Sequence, residues 1–420
     1  MIKRFFIFLL IGFLCFSWNL GFSSEKETKK DALYRELDLL GEALSIVSKK
    51  YVEEKSLKDL IYGAIEGLAS SLDSYSQFLK PEDYKELLVE TEGKFGGLGI
   101  EITIKDGLLT VVSPLEDTPA FKAGLRAGDI IVKINGEITK GITLNEAVKK
   151  LRGQPGTQVK LTILKEKTKQ IQEVTITRDI IKIQDVKRAL ILEDGIAYLK
   201  LSEFREDTAK ELAQALRDLE KKGMKALILD LRNNPGGLLV SAVEVASRFL
   251  PKDKVIVSTK SRNAETLVYK SLSSSPKYLD MPMVVLINRG SASGSEIVAA
   301  ALRENKRAVL LGEKSFGKAS VQSVLPLSDG SALRITTAKY YTPEGKSIHQ
   351  NGVEPDIVVT KEVSDQPEQE NVFERIKEER SREFDYKKDY QLLRAVDLVK
   401  GLLVLSQKNK NVCFRDRDLL

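Results

Sequence analysis

The stretch Met224–Gly237, MKALILDLRNNPGG, predicts a buried strand that ends in a sharp turn. Residues 238–249 then have the apolar spacing of a helix. The same order, a strand followed by a helix, recurs at 195–221 and at 281–305, and a further strand is predicted at 308–312. Strands that alternate with helices predict a βαβ core with a mainly parallel sheet.

The regions around this core have other patterns, so the predicted fold class is α/β with several domains. Two amphipathic helices are predicted before it, at 31–54 and 56–70. A β-rich region with one short helix, residues 143–151, follows them. Its predicted strands, separated by turn signals, are 99–104, 108–112, 129–134, 158–164 and 173–176. After the core come a strand-rich extension, a mixed-charge connector and a last amphipathic helix, at 321–341, 361–388 and 389–405.

The composition limits what the chain can do. Its composition, 42% apolar and 30% charged, is that of an ordinary globular protein. Its length of 420 residues corresponds to about two or three domains. The net charge of +6 is small and gives no strong argument for nucleic-acid binding. With one histidine and two cysteines, a zinc site built from His and Cys is nearly excluded. A Ser-His-Asp triad would depend on His349 alone, so an enzyme here needs another general base.

The N-terminus has the pattern of an export signal. Lys3 and Arg4 precede the apolar run 5–16, and small residues follow as far as Ser24, which predicts a secretory signal peptide over residues 1–24. The run is shorter than the about 20 residues that span a bilayer. An uncleaved anchor that holds the protein at the inner membrane is the alternative, because apolar residues continue beyond the run. Either way the protein is expected outside the cytosol, in a periplasmic or other extracytoplasmic space.

A glycine-rich turn opens the β-rich region. Residues 95–100 are Phe-Gly-Gly-Leu-Gly-Ile, and an ordered set of turn motifs follows as far as Asn135-Gly136. This set resembles a PDZ domain. A glycine turn presents free N–H groups that can capture a chain's terminal carboxylate, and the next strand can accept a peptide by β-augmentation. A structural glycine turn inside a small barrel is the alternative. The peptide-binding residues that the resemblance implies are Gly96, Gly97, Leu98, Gly99 and Ile100.

The segment Arg289–Glu296, RGSASGSE, joins a predicted buried strand to a predicted helix. Backbone N–H groups at the start of a helix stabilise negative charge. A serine held there is well placed to attack a carbonyl while the same amides meet the developing oxyanion. Ser293 and Glu296 also form the S-x-x-E pattern of a capping box, so a purely structural helix cap is the alternative.

Two more turns follow predicted strands. Asp230–Gly237 falls at the carboxyl edge of the same sheet, where open α/β folds gather their sites, although a strand-to-helix turn also needs such glycines. Gly312–Gln322 almost spells a phosphate-binding P-loop, but Ala319 stands where Ser or Thr must hold magnesium, and a strand is predicted where a helix is needed. The other functional interpretation makes Lys318 a base whose pKa is lowered by burial. A surface lysine in a glycine turn is the alternative.

Together these elements resemble the C-terminal processing peptidases, also called tail-specific proteases. These are exported serine peptidases with a Ser–Lys dyad and a PDZ domain. The likeness runs from about Leu33 to Leu403, and Leu72–Ser76, LDSYS, is similar to the motif that precedes the PDZ domain in this family. The resemblance implies a crotonase-like βαβ peptidase core. The expected parts are a signal peptide, a helical segment, a PDZ domain, the peptidase core, and a linker with a C-terminal helix, at 1–24, 31–84, 85–178, 179–360 and 361–420.

The resemblance also implies roles for particular residues. Ser293 matches the nucleophile, and Lys318, 25 residues later, matches the general base. Gln322 matches the glutamine that orients the lysine amine. The oxyanion hole would consist of the backbone N–H groups of Gly294 and Gly236, with Gly237 as the alternative to Gly236. The scarcity of histidine agrees with a lysine base.

The implied reaction is acyl transfer. Neutral Lys318 takes the proton of Ser293, which attacks a peptide carbonyl, and water later releases the acyl-enzyme. No metal or organic cofactor is called for. The expected partners are protein or peptide substrates with free carboxyl termini and no nucleic acid. The main rival is an inactive exported scaffold whose PDZ module binds carboxyl termini.

Assembly and regulation give three further expectations. The N-terminal helices and the helix at 389–405 are apolar on one face, which packing within the chain would explain. The family resemblance implies a second use of these faces, a homodimer that needs these segments. An adaptor or lipoprotein activator is a further expected partner. A bound carboxyl terminus is expected to move the PDZ module from a blocking to a permissive position over Ser293. Arg152 is the candidate for the contact that couples the two domains, and a solvated turn residue is its alternative role.

Overall fold

The structure, a computed structural model, describes residues 29–415 apart from 116, 263–264, 273–277 and 361–383. The predicted signal peptide and most of the predicted connector lie outside the described residues. The chain divides into two compact units, one ending at Ser71 and the other beginning at Leu72. Within the described residues, no helix is both long and apolar enough to cross a membrane.

The first unit consists of two helices, α1 (Lys29–Lys50) and α2 (Leu57–Ser70). Both were predicted from the spacing of apolar residues. Helix α1 is shorter than predicted, because the chain bends at residues 51–53. The apolar side chains that define its face, among them Leu37 and Leu40, are exposed in the single chain.

The β-rich region of the second unit is an antiparallel sheet with the strand order β3-β4-β5-β7-β8, in which β6 pairs with β5. Its core is formed by fully buried side chains such as Leu109, Ile131 and Leu161. Among the residues that the structure describes, β3 pairs with β4 alone, so its other edge carries no strand there. The strands and helices, in chain order, are β3 (Ile100–Lys105), β4 (Leu108–Pro114), α4 (Pro119–Lys122), β5 (Ile130–Ile134), β6 (Glu137–Ile138), α5 (Leu144–Leu151), β7 (Gln158–Leu164) and β8 (Ile171–Thr177).

A two-stranded antiparallel ribbon is formed by the strands that directly precede and follow this sheet in the chain. Strand β2 (Lys94–Gly97) pairs in antiparallel register with β9 (Asp179–Lys182), and β2 follows helix α3 (Pro81–Glu92). The ribbon therefore joins the segments that enter and leave the β-rich region. Gly96 and Gly97, predicted as part of a turn, belong to this strand, and the turn itself is reduced to Leu98 and Gly99.

The core of the second unit is a six-stranded sheet with the order β10-β11-β12-β15-β16-β19. All its pairs are parallel except β10–β11, as the alternation of strands and helices predicted. Its strands are β10 (Val186–Ile191), β11 (Ile196–Leu201), β12 (Ala226–Asp230), β15 (Met283–Ile287), β16 (Val309–Gly312) and β19 (Ile357–Val358). The helices that follow β11, β12 and β15 are α6 (Thr208–Lys221), α7 (Leu239–Ser247) and α8 (Gly294–Glu304).

The central strands β12 and β15 of this sheet are buried on both faces. On β12, Leu227 and Leu229 pack into the cluster that contains the helices α6–α8. Ala226 and Ile228 point to the opposite face and pack against α9 (Tyr390–Arg415), the C-terminal helix. Because neighbouring side chains of a strand point to opposite faces, a continuously apolar strand needs a cover on both sides.

A second sheet has the order β1-β18-β13-β14, with β17 also paired to β18. Its pairs are antiparallel. The strands are β1 (Gln77–Leu79), β13 (Val255–Ser261), β14 (Leu267–Lys270), β17 (Ser320–Pro326) and β18 (Ala332–Tyr341). Pairing of β1 with β18 brings the segment before the PDZ-like region alongside strands that come about 250 residues later, as in the register Gln77 to Arg334.

Candidate active site

Three loops meet at the carboxyl edge of the core sheet. They follow β12, β15 and β16, which are neighbours and parallel, so their carboxyl ends lie at one edge. The loops, residues 231–238, 288–293 and 313–319, overlap the three segments that the sequence analysis singled out, 230–237, 289–296 and 312–322. The structure therefore brings together Ser293, the glycine turn and the segment of Lys318.

Ser293 is the residue that immediately precedes α8, and its backbone has φ 53° and ψ −113°. A non-glycine residue at positive φ is uncommon and is strained unless its surroundings hold it. Its side chain is half-buried, whereas the neighbouring residues Ala292 and Gly294 are buried. The strained turn therefore presents one hydroxyl at the start of a helix.

The other two serines of the segment have structural roles. Ser291 is fully buried and donates its hydroxyl to the Leu231 carbonyl at 2.8 Å. Ser295 is also fully buried and donates to the Asn234 carbonyl at 2.9 Å. Both bonds fasten this segment to the loop after β12. Of the three hydroxyls, Ser293 is thus the one available for chemistry.

Ser293 and Glu296 are arranged as the predicted capping box. Its firm half is the bond from the Ser293 N–H to Oε2 of Glu296, at 2.8 Å. The Glu296 N–H donates to the backbone carbonyl of Ser293 at 2.9 Å. The backbone of Ser293 also departs from the extended conformation that an N-cap residue normally has. The firm half of the cap is therefore carried by the glutamate and not by the Ser293 hydroxyl.

The glycine turn lies directly against Ser293. Gly236 has φ +103°, and a Cβ added there would lie 2.6 Å from the Cβ of Ser293, so no larger residue fits. The Gly236 N–H donates to Oδ1 of Asn234 at 2.9 Å. In the described part of the chain, neither the Gly237 N–H nor the Gly294 N–H has a hydrogen-bond acceptor. The amides available beside Ser293 are thus those of Gly294 and, in this conformation, Gly237.

Lys318 lies at the end of the third loop, immediately before Ala319 and β17. Its side chain is half-buried, and its Nζ lies 4.9 Å from the ring centroid of Tyr75. Burial lowers the pKa of Lys318 below its ordinary value, and the positive charge of Arg334 lowers it further. A lysine with a lowered pKa can act as a general base near neutral pH.

Gln322 and Tyr75 form the wall beside Lys318. The Gln322 side-chain amide donates to the Tyr75 carbonyl at 2.7 Å, and the amine of Lys318 lies over the ring of the same tyrosine. The position of Tyr75 is fixed by Asp73, whose Oδ1 accepts the Tyr75 N–H at 2.9 Å. The motif Leu72–Ser76 is therefore part of the site, a role that the sequence analysis did not give it.

Tyr340 is a second tyrosine that the sequence analysis missed. Its hydroxyl donates to the backbone carbonyl of Lys318 and lies close enough to the Ser293 hydroxyl to hydrogen-bond it. Burial raises the pKa of Tyr340 well above its ordinary value, so its phenol remains a neutral donor. The only sequence signal is its place in the strand-rich segment after Lys318.

The P-loop interpretation is excluded by the fold as well as by Ala319. The segment Gly312–Gln322 leads into strand β17 and not into a helix, as the alternation of residues 321–325 predicted. A P-loop needs the N-terminus of a helix to hold the phosphates. The segment serves instead to carry Lys318 to the sheet edge.

The predicted peptide-binding segment lies beside the open edge of β3. Leu98 is buried and its carbonyl accepts the Ala120 N–H at 2.9 Å, whereas Gly99 has φ +74°. Strand β3 starts at Ile100. The combination of a tight turn and a free strand edge is what β-augmentation requires.

Arg152 follows α5 and contacts two elements outside the β-rich sheet. Its guanidinium lies 3.4 Å from Oε1 of Glu86, on α3, and 4.6 Å from the ring centroid of Phe95, on β2. Since α5 belongs to the β-rich region, Arg152 connects that region to the segment that precedes it. Both contacts lie within the predicted PDZ domain 85–178, and the role of Arg152 in coupling the domains stays a prediction.

Known proteins resemble this chain over most of its length. Family models match residues 195–359 as peptidase family S41 and residues 110–165 as a PDZ domain. A carboxy-terminal-processing protease of Bartonella bacilliformis is 43% identical over 363 residues, which cover 86% of this chain and 83% of the relative. The carboxy-terminal processing protease CtpB of Bacillus subtilis is 36% identical over 340 residues, which cover 80% of this chain and 70% of the relative. A solved photosystem II D1 C-terminal processing protease shares 32% identity over 78% of this chain and 94% of that one, with a TM-score of 0.44.

The fold and these matches define a serine peptidase that carries a PDZ domain. The chain belongs to the carboxy-terminal processing proteases of peptidase family S41.

Proposed function

We propose that this protease cleaves peptide bonds with a Ser293–Lys318 dyad. The observation that carries the proposal is that one carboxylate oxygen, Oε2 of Glu296, accepts the backbone N–H groups of both Ser293 and Lys318. The backbones of the proposed nucleophile and base are therefore joined at one point, with Ser293 in a strained conformation at a helix start and Lys318 at a lowered pKa. Nucleophilic catalysis without histidine needs an accessible nucleophile and another base that is neutral near the working pH, and Ser293 and Lys318 fit these two roles.

The mechanism follows from this arrangement. Neutral Lys318 removes the Ser293 proton as Oγ attacks the carbonyl carbon of the scissile bond. The backbone N–H of Gly294, with one N–H of the Gly236–Gly237 turn, binds the oxyanion. The protonated lysine then gives its proton to the leaving amine, and water hydrolyses the acyl-enzyme by the same steps. Gln322 and Tyr75 keep the amine of Lys318 in place, and the reaction needs no cofactor.

The PDZ domain is the proposed reader of the substrate. A free carboxyl terminus would accept hydrogen bonds at the turn Leu98–Gly99, within the predicted segment Gly96–Ile100. The residues before it would add to the open edge of β3. The substrate class is therefore proteins and peptides whose carboxyl end is free and extended.

Substrate binding is proposed to gate the site. A ligand shifts a conformational equilibrium only if it prefers one state, and strand addition at β3 supplies such a preference. Arg152 is the proposed link in this coupling: it holds α5 against Glu86 and Phe95, in the segment through which the chain enters the β-rich region. In enzymes, catalytic hydrogen bonds often tighten only when the substrate binds, and such tightening at Ser293 and Lys318 would be part of the proposed gating.

Export and assembly complete the proposal. The pattern of residues 1–24 supports secretion to a periplasmic or other extracytoplasmic space, with cleavage of the signal or retention at the inner membrane as the two outcomes. The exposed apolar faces of α1 and α2 support a homodimer. An adaptor or lipoprotein activator is a further proposed partner.

The direct experiment is incubation of the mature protein with a denatured protein or an extended peptide that has a free carboxyl terminus. Cleavage that is lost in Ser293→Ala supports the proposal. An inactive PDZ scaffold would bind the peptide and leave it intact, and equal cleavage by the Ser293→Ala protein would overturn the assignment of the nucleophile.

A further inference from the structure

The carboxylate of Glu296 is a buried hub of hydrogen bonds inside the site. Glu296 lies in the first turn of α8 and is 0% exposed. Oε2 accepts the Ser293 N–H at 2.8 Å and the Lys318 N–H at 3.0 Å. Oε1 accepts the Gly317 N–H at 2.7 Å and the Ser315 hydroxyl at 2.5 Å. One side chain therefore joins the segment of the nucleophile to the segment of the base.

A helix cap does not account for this arrangement. A capping box needs only the bond between Glu296 and the Ser293 N–H. The other three donors come from residues 315–318, which are 19 to 22 positions further along the chain. In the described part of the chain the partners of the Glu296 carboxylate are these four donors, and it lies at the start of α8, so hydrogen bonds and the helix N-terminus compensate its burial. Burying a carboxylate is costly unless its lone pairs are satisfied, and an exposed cap would avoid that cost.

We propose that Glu296 is the positioning residue of the Ser293–Lys318 dyad, an inference that rests on the proposed function. Glu296 touches neither substrate nor reacting atom. It fixes the backbone of Ser293 in its strained conformation and holds the loop that delivers Lys318 at a set distance from it. The alignment of nucleophile and base then depends on one rigid group, and small misplacements of reacting groups lower rates strongly.

The chemistry of the four partners makes the carboxylate hard to replace. All four are donors, and a carboxylate offers only acceptor positions. In Glu296→Gln, an NH₂ group replaces one of the two carboxylate oxygens. Each of these oxygens accepts two hydrogen bonds, so the NH₂ group, itself a donor, would point at two other donors. We expect both contacts at that oxygen to break, so the segment of Ser293 or the segment of Lys318 moves. Ser315 provides a milder change. Ser315→Ala removes one of the four donors to Glu296, together with the acceptor of the Val353 N–H at 2.6 Å, and Ser315→Thr keeps the hydroxyl for both contacts.

A matched control exists on α6. The carboxylate of Glu211 also accepts two backbone N–H groups, those of Asp185 at 2.8 Å and Val186 at 3.3 Å. These contacts stabilise the start of β10 and do not involve Ser293 or Lys318. Glu211→Gln therefore reproduces the loss of a carboxylate bound to backbone amides without changing the proposed dyad.

The test compares kcat and KM of these full-length variants on a peptide with a free carboxyl terminus. For Glu296→Gln we expect kcat to fall by about 100-fold with KM within about threefold of wild type. For Glu211→Gln both should stay within about twofold, and for Ser315→Ala kcat should fall by about tenfold, with recovery in Ser315→Thr. Circular dichroism and thermal unfolding report whether each variant is folded.

A folded Glu296→Gln protein with wild-type kcat, or with a change in KM alone, would overturn the inference. If Glu296→Gln does not fold, Ser315→Ala decides: a lower kcat that Ser315→Thr restores supports positioning, and an unchanged kcat contradicts it. Ser293→Ala separates the two proposals. Activity in Ser293→Ala refutes the dyad itself, whereas an inactive Ser293→Ala beside a fully active Glu296→Gln refutes only the role of Glu296.

Discussion

The Nζ of Lys318 lies 4.9 Å from the ring centroid of Tyr75, over its face. The ring face attracts a cation and so favours the charged lysine. Burial acts in the opposite direction, Arg334 adds repulsion, and the net effect is a lowered pKa of Lys318. The motif Leu72–Ser76, far away in sequence, thereby sets the environment of the proposed base.

This environment predicts how activity depends on pH. The neutral lysine is the active form, so kcat/KM rises with pH and levels off above the pKa of Lys318. Arg334→Gln removes a nearby positive charge, which lets that pKa rise and moves the rising limb to higher pH. Arg217→Gln, an exposed arginine on α6, is the control and should leave the limb in place. Rates are measured from about pH 6 to about pH 10.

A profile that is flat between neutral and alkaline pH would argue against a lysine base. If the pH profile of Arg334→Gln coincides with that of wild type, the charge of Arg334 does not affect the pKa of Lys318.

The proposed reading of carboxyl termini can be tested with one peptide in two forms. Amidation removes the charge that the amides of Leu98–Gly99 would bind, so we expect the amidated peptide to be cut at least about tenfold more slowly than the free one. Rates are compared by chromatography at equal peptide concentration. If both forms are cut at the same rate, the PDZ domain does not read the terminus and the gating proposal fails.

The C-terminal helix is fastened to the core by a buried ion pair. Arg232 is 6% exposed and binds both Asp230 and Asp389, each at 2.7 Å. Asp389→Asn should lower the free energy of unfolding by about 2 kcal/mol, because Arg232 loses one of its charged partners. Asp397→Asn, from an exposed pair on the same helix, should cost about 0.5 kcal/mol or less. Urea denaturation followed by fluorescence measures both.

The same pair predicts an acid-sensitive contribution. Burial alone would raise the pKa of Asp389, but its hydrogen bond to Arg232 and the charge of Arg232 outweigh burial, and the pKa is lowered. The stabilisation is therefore complete above the ordinary pKa of an aspartate and is lost as pH falls through the lowered one. The difference between wild type and Asp389→Asn should shrink toward acid pH; a difference that is constant across this range would contradict the account.

The proposed homodimer has a simple test. The apolar face of α1 remains exposed in the single chain, with Leu33 at 58% and Leu37 at 50%. Light scattering of the mature protein at micromolar concentration should give the mass of two chains, and a protein shortened to begin at Leu72 should give the mass of one. A monomer mass for the mature protein would rule the dimer out.

The sequence predicted the elements that depend on local pattern. The alternation of strands and helices located the core sheet, and the helix predicted at 56–70 is observed at Leu57–Ser70. Ser293 and Lys318 could be selected because they lie in distinctive segments that match a known family. These inferences need only neighbouring residues or a motif.

The missed features depend on contacts between distant segments. Gln322 binds the carbonyl of Tyr75, 247 residues away, through a pairing of β1 with β18 that no local pattern indicates. Glu296 was recognised only as a capping partner, since its other donors belong to a later loop. Gly96 and Gly97 were assigned to a turn because their partner strand β9 begins at Asp179, beyond the whole β-rich region.

The measurement that tests the dyad most directly is the double-mutant cycle of Ser293→Ala and Lys318→Ala on one free-ended peptide. Residues that act as one chemical unit lose nearly all activity when either is removed. We predict that each single variant is folded and inactive and that the double variant is no worse than either. Substantial cleavage by Lys318→Ala, or a double variant much slower than both single variants, would contradict a Ser293–Lys318 dyad.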